Sequence, residues 1–171
     1  MMRGFFPTAA AIAGAAVLQA GLAPYLSIGG VVPNIMLLVV VTLALVEGPG
    51  AGASAGFVSG LLFELLGSGP VGPMVLVLTL TGYLAGLMHE KMFAEGWLLP
   101  LTVLGIVSIS AELSYGLILN LLGVGGPFWV TFITKMLPGA VYNTALALLV
   151  YPLLARFLRV DRPMNTFRRL A

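Results

Sequence analysis

Few side chains in this sequence have both the chemistry and the setting to act: Glu64, Glu112, Lys135 and His89. Two carboxylates held close together do general acid–base work, and a histidine shuttles protons or holds a metal. The spacing here supports neither. His89 is the single histidine and cysteine is absent. Disulfides and thiolate metal sites are therefore excluded, and a histidine-based metal site is short of ligands. His89 stands among charged neighbours, in His89-Glu90-Lys91-Met92-Phe93-Ala94-Glu95-Gly96, where a solvated loop is expected. Nothing places Glu64 beside Glu112. No catalytic arrangement emerges, and no cofactor is implied.

Glu64, Glu112 and Lys135 do, however, stand inside apolar runs. At the centre of a membrane helix a lysine or aspartate costs about 2.5–3.5 kcal/mol, so such groups turn inward or find partners. Glu112 and Lys135 lie at similar depth in consecutive segments joined by the short turn 123–127, and the expectation is that they pair. Ser108, Glu112 and Tyr115 share one helical face, and Thr131, Lys135, Pro138 and Tyr142 share another. An ion or substrate site between these faces is the sharper reading. A structural ion pair is the plainer one, and it is favoured because no third carboxylate or histidine lies nearby. Glu64 is placed to meet water, cap a helix or touch a partner.

The most distinctive spacing carries no reactive group at all. Glycine recurs at every fourth position in Gly48, Gly52, Gly56 and Gly60, and the next step in the series is Glu64. Positions four apart line one inclined row of a helix, and glycine along that row leaves a groove for a second backbone. In lipid, where no hydrophobic force drives helices together, close approach through small residues is a main route to association. The row, with Gly82 and Gly86 of the following segment, is expected to serve as a helix-packing or partner interface. It is not a phosphate loop, because it lacks the lysine-serine/threonine ending and sits in apolar surroundings.

These residues need elements to carry them, and the composition says where those elements lie. Of 171 residues, 60% are hydrophobic and only 8% charged, against about 25% charged in ordinary soluble domains. Mean hydropathy is +1.09. A chain so poor in charge cannot clothe a soluble fold, so it is an all-α integral membrane protein, one domain over 1–171. Six segments are expected at 5–23, 31–46, 51–66, 73–88, 97–122 and 128–158. The first could also be a cleavable signal, but the spans that follow favour a retained helix. The second and third are near the lower length limit for crossing and could form a hairpin that only dips into the bilayer. The last is long for one straight crossing, with Pro138 a candidate kink and Pro152 near its exit.

Charge placement orients the whole. Five of the eight basic residues, Arg156, Arg159, Arg162, Arg168 and Arg169, fall in the tail 156–171, and Arg3 and Lys91 flank apolar runs. The positive-inside rule then puts both termini in the cytoplasm. Such a tail reads as an anchor on anionic lipid and not as a nucleic-acid surface.

With the segments in place, the chain resembles the rod shape-determining protein MreD family. The resemblance rests on Pro33-Asn34 before an aliphatic run and on the Glu47-Gly48-Pro49 turn. It continues through Gly56-Phe57-Val58-Ser59-Gly60-Leu61-Leu62-Phe63-Glu64-Leu65-Leu66, the turn Gly67-Ser68-Gly69-Pro70-Val71-Gly72, and Gly82-Tyr83-Leu84-Ala85-Gly86. Leu137-Pro138, Tyr142-Asn143 and Tyr151-Pro152-Leu153-Leu154 complete it. The family often carries aspartate where this chain has Asn34 and Glu64. The resemblance implies a non-enzymatic scaffold of the bacterial cytoplasmic membrane, within the cell-elongation machinery that builds lateral peptidoglycan. Its implied partners are an MreC-type single-span protein, MreB, RodA and a class B penicillin-binding protein. It also implies a fold similar to the substrate-binding (S) subunits of energy-coupling-factor vitamin transporters, which supplies the alternative function. An ion-coupled carrier using Glu112 and Lys135 is a third class. The loops 24–32, 67–72 and 123–127 offer Tyr25, Ser27 and Ser68 and little else for a vitamin, which favours the scaffold.

Overall fold

The computed structural model describes residues 5–90, 98–124 and 126–159. Arg3, Lys91, Trp97 and most of the basic tail lie outside the described residues, and so does most of the polar loop after His89. Six helical elements follow in order. They are α1 (Phe5–Gly21), α2 (Ile35–Glu47), α3 (Pro49–Leu66), α4 (Pro73–Gly86), α5 (Leu98–Leu121) and α6. The last is continuous but irregular, an α-turn Phe128–Thr131, a π-helical turn Phe132–Met136 and a long run Leu137–Arg159. A short 3-10 turn, Ala23–Leu26, follows α1, and no strand is present among the described residues, only an isolated bridge between Ile28 and Val31.

The helices alternate in direction. Thr8 of α1 meets Glu47 at the far end of α2, Ala44 of α2 meets Gly52 of α3, and Gly116 of α5 meets Met136 of α6. The starts of α1 and the end of α6 therefore share one end of the bundle with the α2–α3 turn, and the α3–α4 turn lies at the opposite end. Three helices are long and apolar enough to cross a membrane: Pro49–Leu66, Leu101–Leu121 and Phe128–Leu158. Three apolar helices are shorter: Phe6–Gly21, Ile35–Glu47 and Pro73–Gly86.

The shortest is the hub. Every residue of α2 from Ile35 to Val46 is buried. A helix apolar all round belongs inside a bundle. At about 1.5 Å per residue it runs about 20 Å, less than the ~30 Å hydrocarbon core, a deficit that matters little where neighbouring helices and not lipid surround it. Where α2 ends, Gly48 adopts φ +97° and Pro49 opens α3 directly. A left-handed glycine followed by proline at the first helical position reverses the chain within one residue. Helix α2 therefore begins at Ile35, later than the expected 31, because residues 27–34 form an extended entry that carries its own hydrogen bonds.

The glycine row is filled from within the chain. A Cβ on Gly60 would sit 2.5 Å from the Val75 Cα, and one on Gly56 would run into the backbone of Leu78 and Thr79. Gly52 and Gly82 face each other, so that a Cβ on Gly52 would lie 2.6 Å from the Ala44 Cβ and one on Gly82 would lie 2.7 Å from the Gly52 carbonyl carbon. Gly86 closes on Pro49, with 2.6 Å left to its nitrogen. Helices α3 and α4 thus touch backbone to backbone along their whole length. Gly48 lies off this seam, at the turn, where a Cβ would approach the His89 ring at 3.9 Å. The row is a seam inside the protein, and its glycines leave no room for another chain.

In α6 the π-turn lies directly before Pro138. Proline cannot donate to the carbonyl four residues back, and its ring crowds that carbonyl. A wider turn relieves the clash and inserts one extra residue, which rotates everything before it relative to everything after. Pro152 is accommodated inside the final run and does not end it.

Leucine at Gly56 or Gly60 must push backbone aside, so the loss should exceed the roughly 1–3 kcal/mol of ordinary overpacking. Thermal melts of the detergent-purified protein should fall sharply for Gly56→Leu. Gly14→Leu on α1, where a Cβ meets nothing within 4 Å, should melt like the parent. Equal melting of all three proteins would show that the seam is not tight.

Candidate functional site

A helix start leaves backbone N–H groups without partners, and inside an apolar bundle no water supplies them. The entry to α2 faces this problem in full, because Pro33, Asn34 and Ile35 are all buried. Three side chains answer it. Asn34 caps its own helix, its Oδ1 accepting from the Leu37 N–H at 3.0 Å. Gln19 of α1 pairs with the extended backbone on both sides. Its Nε2 donates to the Pro33 carbonyl at 3.1 Å, and its Oε1 accepts from the Ile35 N–H at 2.7 Å. Asn143 of α6 takes the remaining donor, its Oδ1 accepting from the Asn34 N–H at 2.8 Å.

The chain of contacts continues outward from these three. With its oxygen engaged by an N–H, Asn143 must turn its Nδ2 the other way, and it donates to Glu112 Oε1 of α5 at 3.0 Å. Gly139 makes room for that carboxylate, since a Cβ there would lie 3.4 Å from the Glu112 Cδ. Asn34 Nδ2 points to the Met74 sulfur of α4 at 3.9 Å. Met74 is itself tied to α3, because Glu64 accepts from the Met74 N–H at 2.5 Å and from the Gly72 N–H at 2.6 Å. Each of the six helices contributes one member: Gln19, Asn34, Glu64, Met74, Glu112 and Asn143.

Glu64, only 4% exposed, therefore caps a helix. It does so from its neighbour, a carboxylate set at the positive end of α4, where charge-assisted hydrogen bonds are strong. That burial removes it from any partner surface. At the other end of the bundle, His89 is half-buried and its Nδ1 donates to the Leu45 carbonyl at 2.8 Å, covering a free carbonyl of the last turn of α2. The expected solvated histidine is instead a C-terminal cap, because the α4 exit brings it onto α2. Thr8 donates to Glu47 at 2.9 Å beside it.

The expected ion pair between Glu112 and Lys135 is not formed. Asn143 holds Glu112, and the Lys135 side chain is exposed on the outside of the bundle. Uniform helical spacing put Lys135 on the face toward α5, but the π-turn shifts the register and brings Met136 there. Its side chain fills the notch at Gly116, where a Cβ would lie 2.8 Å from the Met136 sulfur. Of the polar face expected on α6, Tyr142 reaches across to donate to the Leu26 carbonyl at 2.8 Å. Ser108 is buried on α5 as expected, though its hydroxyl has no partner.

Chemically, this cluster has little left to offer a substrate. Its amides and carboxylates are bonded to backbone or to one another. Among the described residues no three histidine, cysteine or acidic side chains group to hold a metal. Gln19 and Asn143 were not singled out as site residues from the sequence. Both are polar side chains in apolar runs, and Gln19 is the chain's single glutamine, a signal that charge alone does not pick up.

The family model described as rod shape-determining protein MreD matches residues 5–160. No curated protein and no solved structure matches the chain.

Removing Asn143 leaves the Asn34 N–H unpaired, at about 1–3 kcal/mol for such a buried group, and frees the Glu112 carboxylate. In a double-mutant cycle read by unfolding in detergent, Asn143→Ala and Glu112→Ala should be strongly non-additive. Glu112→Ala and Lys135→Ala should add. Coupling in the second pair and none in the first would reverse the assignment.

Proposed function

The chain belongs to the rod shape-determining protein MreD family, and from that premise we propose a non-enzymatic membrane scaffold that binds an MreC-type single-span partner. A role in rod shape determination comes with the family. The scaffold reading and the partner go further, and one observation carries them, the open face of α1. Ala10, Ala13, Gly14, Val17, Ala20 and Gly21 are exposed along it, and a Cβ on Gly14 or Gly21 would meet nothing within 4 Å. The α3–α4 glycines are occupied; these are free. A small-residue face of about four turns offers a single helix the close approach that membrane association relies on.

The rest of the molecule suits a body that presents surfaces and does not turn over a substrate. Its interior polar groups tie helices together and leave the bundle rigid. The proposed setting is the bacterial cytoplasmic membrane with both termini cytoplasmic, since Arg3, Lys91 and the basic residues of 156–171 then all lie inside. MreB, RodA and a class B penicillin-binding protein would join through the partner. The vitamin-binding alternative gains no support from the groove at the opposite end of the bundle. Its lining is apolar, and its one hydroxyl, on Tyr142, is already bonded to Leu26.

Tagged protein purified from native membranes in mild detergent, with its companions identified by mass spectrometry, tests the reading. The parent should retain a single-span MreC-type protein. Gly14→Leu should lose at least tenfold of it while melting normally. Undiminished partner with Gly14→Leu would remove α1 as the docking face, and recovery of paired ATP-binding-cassette ATPases would overturn the scaffold itself.

A further inference from the structure

At the end of the bundle opposite the termini, an uncompensated cation stands above an apolar groove. The groove has a volume of about 450 Å³, with Ile28 and Val31 of the entry loop on one side and Leu137, Pro138, Val141 and Tyr142 of α6 on the other. Ile28 is 68% exposed and Val141 64%, so it opens sideways, toward whatever surrounds the bundle. The loop wall is held in shape. Ile28 and Val31 exchange both backbone hydrogen bonds, at 3.1 and 3.0 Å, and the Tyr142 hydroxyl pins Leu26.

Lys135 precedes Pro138 by three residues and Tyr142 by seven, which sets it on the groove's side of α6, one turn nearer the helix start. It lies six residues beyond Trp129, or about 9 Å along the axis. Phe128, Trp129 and Phe132 form an aromatic cluster, with ring centroids 5.6–6.3 Å apart, of the kind that marks a membrane interface. Helical side chains lean toward the N-terminus, here toward that cluster, so the lysine stem reaches headgroup level. No anion of the protein meets it. The loops 22–34, 67–72 and 122–127 contain no acidic residue. Glu64 is held by the α4 N–H groups and Glu112 by Asn143.

A cation at headgroup depth over an apolar trough complements an amphiphile with its charge above and its chain below. We propose that this is a binding site for one anionic phospholipid of the surrounding leaflet, its phosphate on the Lys135 ammonium and an acyl chain in the groove. A protein helix fits less well. It would need a carboxylate at this depth and a seat 8–10 Å from the α6 axis, where the Ile28–Val31 turn already stands.

The test is native mass spectrometry of the full chain in detergent, titrated with phosphatidylglycerol and, separately, with zwitterionic phosphatidylethanolamine. The parent should bind one phosphatidylglycerol at least tenfold more tightly than phosphatidylethanolamine. Lys135→Gln should abolish that preference, Lys135→Arg should keep it, and Ala145→Trp, which fills the groove from an exposed position, should lose both lipids. Arg156→Gln, at the other end of α6, should bind as the parent does, and melts verify that each variant is folded. No preference in the parent, or an unchanged preference in Lys135→Gln, would overturn the proposal. So would a co-purifying protein whose retention requires Lys135 while lipid binding does not.

Discussion

The bundle depends on how the backbone enters α2. A fully enclosed helix of thirteen residues presents its first N–H groups to an interior without water, and each donor left unpaired there costs about as much as a lost hydrogen bond. Gln19, Asn34 and Asn143 remove that cost. Because they come from three different helices, satisfying the entry also fixes where those helices stand. Glu112 and Met74 follow as the partners of what remains, and Glu64 as the cap that positions Met74.

The polar cluster works together with the glycine seam. The seam needs α3 and α4 at backbone contact from the Gly52–Gly82 crossing to Gly60, and the turn beyond it needs an anchor so that the helices do not splay. Glu64, one step past the last glycine of the row, binds the start of α4 across that turn. Close approach supplies dispersion along the seam and the carboxylate sets its register. In lipid, packing and hydrogen bonds are the forces available between helices, and both are used in one hairpin.

Such an interior leaves function to the outside. The polar groups that a carrier or enzyme would turn toward a substrate are engaged in holding helices. What remains open is the small-residue face of α1 and the lysine-headed groove beside α6. They lie on different elements, so a helical partner and a lipid need not compete for one surface. This arrangement suits a member of a shape-determining family whose work is to hold other components in the membrane plane.

Composition alone made this a helical membrane protein, because so few charges cannot cover a water-facing surface. Apolar runs broken by glycine and proline marked all six helices, though their ends moved wherever a cap or a 3-10 turn intervened. The four-residue glycine spacing identified a tight helix contact, since spacing on a helix is geometry that the sequence carries directly. It could not say whether the facing backbone belonged to this chain or another. Only the tertiary structure decided that α4 fills the groove, that Asn143 and not Lys135 meets Glu112, and that His89 caps α2. The first and last depend on which helices become neighbours, a property of the whole bundle. The second depends on one π-turn before Pro138, where a single extra residue rotates a face that uniform 3.6-residue periodicity had pointed inward.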